Sequence, residues 1–118
     1  MSKTVTLKLN KEFKRLYYRG KSAVRPSIVV YALPNKRPHN RIGITCGKAI
    51  GKAVKRNRVK RIIRVAYRLS EGDIKTGYDF VIVARTKSVF CKHTHIYNDF
   101  RKALDNMGLL RENDKISD

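Results

Sequence analysis

The residues of this chain best suited to chemistry lie between positions 47 and 64, which read Gly-Lys-Ala-Ile-Gly-Lys-Ala-Val-Lys-Arg-Asn-Arg-Val-Lys-Arg-Ile-Ile-Arg. On a helical projection Arg56, Lys60, Arg64 and Arg68 follow one another at i, i+4 and form a cationic ridge, with Asn57 and Arg61 beside it. Lys48 and Lys52 precede the ridge, while Lys55 and Arg58 project elsewhere. Stacked like charges cost a helix a few tenths of a kcal/mol per pair, so the pattern implies a ligand that reverses the penalty. The planar guanidinium fork, which donates two parallel hydrogen bonds, suits that ligand to be phosphate. Basic helix faces are usually only solvated and interspersed with acids. Here no Asp or Glu occurs from Arg41 through Ser70, which favours polyanion binding.

No set of nucleophile, base and orienting acid stands out, and the acidic residues are scattered, so the chain itself is expected to carry no catalytic residue. Gly43-Ile-Thr-Cys-Gly47-Lys48-Ala49 fails as a phosphate-binding P-loop. It has three intervening residues rather than four, and Ala49 stands where Ser or Thr would bind magnesium. Cys91, His93 and His95 fall within five positions, which is not zinc spacing; a loop entering a helix is the expected role.

Lys and Arg number 28 against 9 Asp and Glu in 118 residues, for a formal charge of +19. That much repulsion on one small domain is tolerable beside a polyanion, and nucleic acid is the obvious one. No apolar run approaches the roughly 20 residues that span a bilayer, and the first residues, MSKTVTLKLNKEF, lack a signal-peptide core. The expectation is a cytoplasmic protein without a membrane partner, with Cys46 and Cys91 as free thiols. A hydrophobic fraction of 42% is enough for a folded core, and residues 1–118 are expected to form a single domain with its core over about 9–110 and loose termini.

The elements that must position these residues follow from periodicity. Asn10–Arg19 reads as a helix capped by Asn10 and ended at Gly20, with Phe13, Leu16 and Tyr17 on one face. Ser27–Leu33 and Arg41–Cys46 read as strands forming an antiparallel pair across a Pro- and Asn-rich loop. From Ala53 to Ser70 the period is helical, with Val59, Ile62, Ile63, Ala66 and Leu69 in one sector. Tyr78–Ala84 is apolar at nearly every position, as a strand covered on both faces would be. Ile96, Phe100, Ala103, Leu104 and Met107 mark a last helix ending near Gly108, before a polar tail after Arg111. The order α-β-β-α-β-α predicts an α+β fold, a two-layer sandwich of a small sheet with packed helices.

Several of these segments resemble one family. Gly51-Lys-Ala-Val-Lys-Arg-Asn-Arg-Val-Lys-Arg-Ile-Ile-Arg64 is similar to the Arg-Asn-Arg helix of the bacterial ribonuclease P protein component. Leu9-Asn-Lys-Glu-Phe-Lys-Arg-Leu-Tyr-Tyr-Arg-Gly20 resembles the family's first helix, Arg41-Ile-Gly-Ile44 the strand before the signature, and Phe80-Val-Ile-Val-Ala-Arg85 its last strand. Together they cover most of residues 9 to 107 in the family's order. One departure is that Gly47-Lys48-Ala49 stands where the family usually has Ser-Lys-Lys.

The resemblance implies a fold like the second domain of a small-subunit ribosomal protein, with a left-handed βαβ crossover, against a rule of about 98% right-handed. It implies a non-catalytic subunit of an endoribonuclease, in which Lys48, Lys52, Lys55, Arg56, Asn57, Arg58, Lys60, Arg61, Arg64 and Arg68 bind the catalytic RNA. Phe13, Tyr17 and Tyr31 match positions lining a cleft for the 5′ leader of precursor tRNA, where stacking gives about 1–3 kcal/mol per base with little sequence preference. The bland alternative for such aromatics is a place in the core. The implied cofactor is Mg2+, used by the RNA-based holoenzyme with no site on the protein, and the implied partners are ribonuclease P RNA and precursor tRNA. The rival readings are a ribosomal or other structural RNA-binding protein, and a DNA-binding protein. The latter lacks a helix-turn-helix partner for its basic helix, so no DNA partner is expected.

Overall fold

A computed structural model describes residues 4–111; the tail expected beyond Arg111 lies outside them. The element order is β1 (Val5–Thr6), α1 (Asn10–Arg19), β2 (Lys21–Val24), β3 (Ile28–Pro34), β4 (Arg41–Thr45), α2 (Ala53–Ser70), β5 (Tyr78–Ala84) and α3 (His93–Asn106). The five strands form one mixed sheet in the order β1-β4-β5-β3-β2.

β5 occupies the centre because both of its faces are apolar. Phe80, Ile82 and Ala84 join the main core with Ile28 and Val30 of β3, Val59 and Ile63 of α2, and Phe100 and Leu104 of α3. Val81 and Val83 face the other way, meeting Leu7, Phe13, Leu16, Tyr31 and Leu33. Thus α2 and α3 cover one face and α1 alone covers part of the other, within the α+β architecture read from the sequence.

The strand pairing differs from the expectation. β3 and β4 do not pair: β5 lies between them, antiparallel to β3 and parallel to β4, with Val81 opposite both Tyr31 and Gly43. A doubly apolar strand belongs inside the sheet, and the link through α2 is long enough for the parallel crossover that a short loop could not make. The buried stripe of α2 is also rotated. Tyr67 and Ser70 are buried with Val59, Ile63 and Ala66, whereas Leu69 is 66% exposed.

α1 begins at Asn10 as expected, but Leu9 takes the N-cap position and no side chain caps the helix. Gly20 ends it through close approach rather than a left-handed turn. A Cβ there would lie 2.7 Å from the Leu16 carbonyl oxygen and 2.9 Å from that of Ala32, so only glycine lets the helix turn into β2 against β3.

With a single fully buried residue, Leu16, α1 is held mainly by a polar clamp. Arg41, 9% exposed, donates from Nε and Nη2 to the two oxygens of Asp79, at 2.8 and 2.7 Å, and from Nη1 to Glu12 Oε2 at 2.8 Å. Arg41 and Asp79 are register partners on β4 and β5, and Glu12 belongs to α1. Burial alone would raise the Asp79 carboxyl, but hydrogen bonds from Arg41 and Asn35 and the charge of Arg41 outweigh it and hold the carboxyl below its usual range. A depressed carboxyl stabilises the fold fully at neutral pH, and the contribution is lost as pH falls below about 4. Asp79→Asn should therefore cost about 3 kcal/mol at pH 7, the low end for breaking a buried pair because Glu12 still reaches Arg41. Denaturant unfolding at pH 7, 5 and 3 should show a weaker acid dependence in the variant. Equal stability at pH 7 would make the clamp dispensable.

Candidate nucleic-acid interface

α2 opens after a one-turn 3-10 segment, Lys48–Ile50, and a glycine at φ 136°. Lys52 is its N-cap residue, with no side-chain cap and no acidic residue in the first turn. An uncapped N-terminus leaves backbone N–H groups and the positive end of the helix dipole available to an anion. Lys48, Lys52, Lys55, Asn57, Arg58, Arg61, Arg64 and Arg68 are all exposed. Arg25–Asp99, Arg41–Glu12, Arg41–Asp79 and Arg101–Asp73 are ion pairs among the described residues, and none of these four involves a cation of residues 47–68.

The i, i+4 row does not act as one uniform ridge. Arg56 is half-buried and donates from Nη1 to the Gly51 carbonyl at 2.9 Å, bracing the turn that starts the helix. Lys60, Arg64 and Arg68 instead form one wall of a cleft. Phe13 also lines it, packed so closely on Gly43 that a Cβ there would sit 2.4 Å from the ring. Leu7, Ile42 and Ile44 also line it, forming a pocket of about 220 Å³. It continues into a more open pocket of about 430 Å³ between Asn10, Phe13, Lys14 and Tyr17 of α1 and Lys60 of α2. Tyr17 is 43% exposed. Tyr31 does not line either pocket; it is half-buried and meets Tyr17 edge-on, with ring centroids 5.0 Å apart. The structure therefore brings Phe13 and Tyr17 together with Lys60, Arg64 and Arg68, and sets Tyr31 as a support for Tyr17.

Several lining residues give no sign in the sequence. Thr4, Thr6 and Leu7 lie in or beside a strand of two residues, too short for any periodicity. Tyr67 is buried against Phe80 and Phe100, and its hydroxyl meets Thr4 Oγ1 at 3.0 Å; burial pushes this phenol up, with hydrogen bonds from Thr4 and Asn40 opposing. Cys46 lines the outer pocket, its thiol raised by burial against the opposing charges of Lys60 and Arg56. His93 and His95 are exposed in the first turn of α3. Among the described residues no group of three or more His, Cys, Asp or Glu could hold a metal, and no described helix is long and apolar enough to cross a membrane. Cationic and apolar walls without a carboxylate fit a phosphate backbone with bases, and do not fit a magnesium ion, which takes oxygen ligands.

Comparison with known proteins shows the family. The ribonuclease P family model matches residues 1–108. A ribonuclease P protein component of Thermoanaerobacter sp. strain X514 is 39% identical over 113 residues, covering 96% of this chain and 97% of the relative. That of Clostridium botulinum strain Loch Maree is 42% identical over 102 residues, covering 86% and 88%. Among solved structures, the RNase P protein of Staphylococcus aureus superposes with a TM-score of 0.82 at 31% identity, covering 90% of this chain and 97% of its own. The Thermotoga maritima protein gives 0.75 at 28% identity, covering 82% and 92%. With its fold, its basic helix and nearly its whole length matched, the chain belongs to the ribonuclease P protein family.

Proposed function

We propose that this chain is the protein subunit of ribonuclease P, binding the catalytic RNA through the exposed cations of α2 and the 5′ leader of precursor tRNA in the adjoining cleft. The observation that carries the reading is the shared wall. Lys60, Arg64 and Arg68 look onto the same space as Phe13, while Lys60 and Tyr17 line its outer part. Phosphates along one side and bases against the other is how a single strand is held without reading its sequence. An enzyme acting on many tRNAs requires that tolerance.

The roles divide by position. Lys48, Lys52 and the uncapped start of α2 offer charge and N–H donors to phosphates of the RNA subunit. Lys55, Asn57, Arg58 and Arg61 extend that surface. Arg56 keeps the turn before the helix in place and contributes charge from there. The chemistry belongs to the RNA subunit, which holds the magnesium ions; this chain neutralises RNA repulsion and positions the leader. The cytoplasm is the compartment in which these partners meet.

Reconstitution with a bacterial ribonuclease P RNA tests the reading. The protein alone should not cleave precursor tRNA, and adding it should lower the magnesium concentration at which the RNA does. Robust cleavage by RNA-free protein would move the chemistry onto this chain.

Arg61→Ala and Arg64→Ala should weaken binding and reduce the slope of log affinity against log salt by about 0.7–0.9 for each phosphate no longer neutralised. Arg61→Ala should act on the RNA subunit, whereas Arg64→Ala, on the cleft wall, should also affect precursor tRNA. Both side chains are exposed, so melting temperatures should hardly move. Variants that melt early but bind normally when folded would make these arginines structural.

Tyr17→Ala should impair precursor tRNA much more than RNA-subunit binding, and only when the leader reaches the cleft. One stacked base is worth about 1–3 kcal/mol, so the loss should lie between about fivefold and a hundredfold. Tyr31→Ala should add a stability cost, because its half-buried ring supports Tyr17. Affinities of the holoenzyme for substrates with zero, short and long leaders check this; an equal loss across all three would assign the aromatics to packing alone.

A further inference from the structure

α1 carries cations that the cleft does not use. Arg15 and Arg19 stand one turn apart on the flank of the helix away from Phe13 and Tyr17. With Lys36 and Arg37 of the β3–β4 loop they line an open pocket of about 500 Å³ that reaches Arg41. No residue lines both this pocket and the cleft.

All four outer cations are exposed, and none forms a salt bridge among the described residues. The carboxylates that reach into this region, Glu12 and Asp79, are both engaged by Arg41. The charge of Arg15 also favours the ionised Asp79. The clamp thus engages both of these carboxylates, and the pocket's outer cations have no salt-bridge partner among the described residues.

The loop presenting Lys36 and Arg37 is pinned. Asn35 donates from Nδ2 to Asp79 Oδ1 at 2.9 Å and to the His39 carbonyl at 3.2 Å. Its Oδ1 accepts the Arg37 N–H at 2.8 Å, and its own N–H donates to the Gly77 carbonyl at 2.8 Å. Between them Lys36 sits at φ 58°, a left-handed conformation uncommon for a side chain other than glycine or asparagine. The surrounding bonds fix that conformation, so two cations are held by an ordered turn facing two more on a helix.

We propose that this pocket is a second phosphate-binding site, gripping an RNA backbone on the flank of α1 opposite the cleft. Three guanidinium forks and an ammonium around one open space suit phosphodiester oxygens. The strand comes either from the ribonuclease P RNA or from precursor tRNA; both offer the same chemistry. The inference rests on the RNA-binding reading above.

The test is Arg19→Gln/Arg37→Gln, with Lys36→Gly as a second variant that removes one charge and relieves the left-handed residue. Arg15 is left in place because it also acts on Asp79. Affinity for ribonuclease P RNA, and affinity of the reconstituted holoenzyme for precursor tRNA, are measured across a salt series with Arg61→Ala in parallel. The double variant should bind one of the two RNAs about tenfold more weakly, with its salt slope reduced by about 0.7–0.9 for each of up to two phosphates. Lys36→Gly should show the reduction expected for about one phosphate. Weakening against the RNA subunit assigns the strand to it, and weakening confined to the substrate assigns it to precursor tRNA. Unchanged affinities and slopes for both RNAs overturn the proposal: if Arg61→Ala still weakens binding, the α2 reading survives and only the pocket fails, whereas if it does not, the RNA-binding reading falls as well.

Discussion

The buried guanidinium of Arg41 is the group on which the working surface depends. α1 has ten residues, one of them fully buried, and no side-chain cap, so neither intrinsic helicity nor apolar packing alone would fix its angle on the sheet. Arg41 ties Glu12 of that helix to Asp79 of the central strand with three hydrogen bonds of 2.7–2.8 Å. Burying such charges is expensive, and they persist where each donor has a partner. Phe13 seated on Gly43 sets the helix from its other side. Between these two anchors α1 can sit in only one way, with its aromatic flank on the cleft and its arginine flank on the opposite pocket. A rotation of the helix would dismantle both surfaces at once.

Charge separation completes the design. The carboxylates in described ion pairs brace the fold: Asp79 and Glu12 at the clamp, Asp99 near Arg25 and the β3 start, Asp73 with Arg101. Asp99 also accepts from the Ser27 backbone N–H and hydroxyl, at 3.0 and 2.6 Å. None of these ion pairs takes in a cation of α2. The isolated protein bears the repulsion among those cations, and an RNA partner relieves it as the protein's cations replace the counterions condensed on the RNA backbone.

Local patterns carry much of this architecture. Asn10–Arg19, Ala53–Ser70 and Tyr78–Ala84 are legible in the sequence, because each has a clear period or an unbroken apolar run. β2 escapes because it is an edge strand with one buried residue, Ala23, and β1 because two residues carry no pattern. The pairing of β3 with β5 is hidden because partners about 50 residues apart leave no local trace, and proximity in sequence favours β4. In the site, the row from Lys60 to Arg68 is readable from its spacing. The commitment of Arg56 to a carbonyl, the seclusion of Tyr31 from the cleft and the clamp linking residues 12, 41 and 79 are not, since all three depend on how distant elements meet.

Whether the space between α1 and α2 holds the 5′ leader can be asked directly through Cys46, which lines the outer pocket beside Phe13 and Tyr17. A short photo-cross-linker on Cys46, in a Cys91→Ser background, can be activated in the reconstituted holoenzyme bound to precursor tRNA. Cross-links are expected on leader nucleotides a few positions 5′ of the cleavage site, and they should vanish when the substrate lacks a leader. Cross-links that fall on the mature tRNA body, or that persist unchanged without a leader, would contradict a leader-binding cleft.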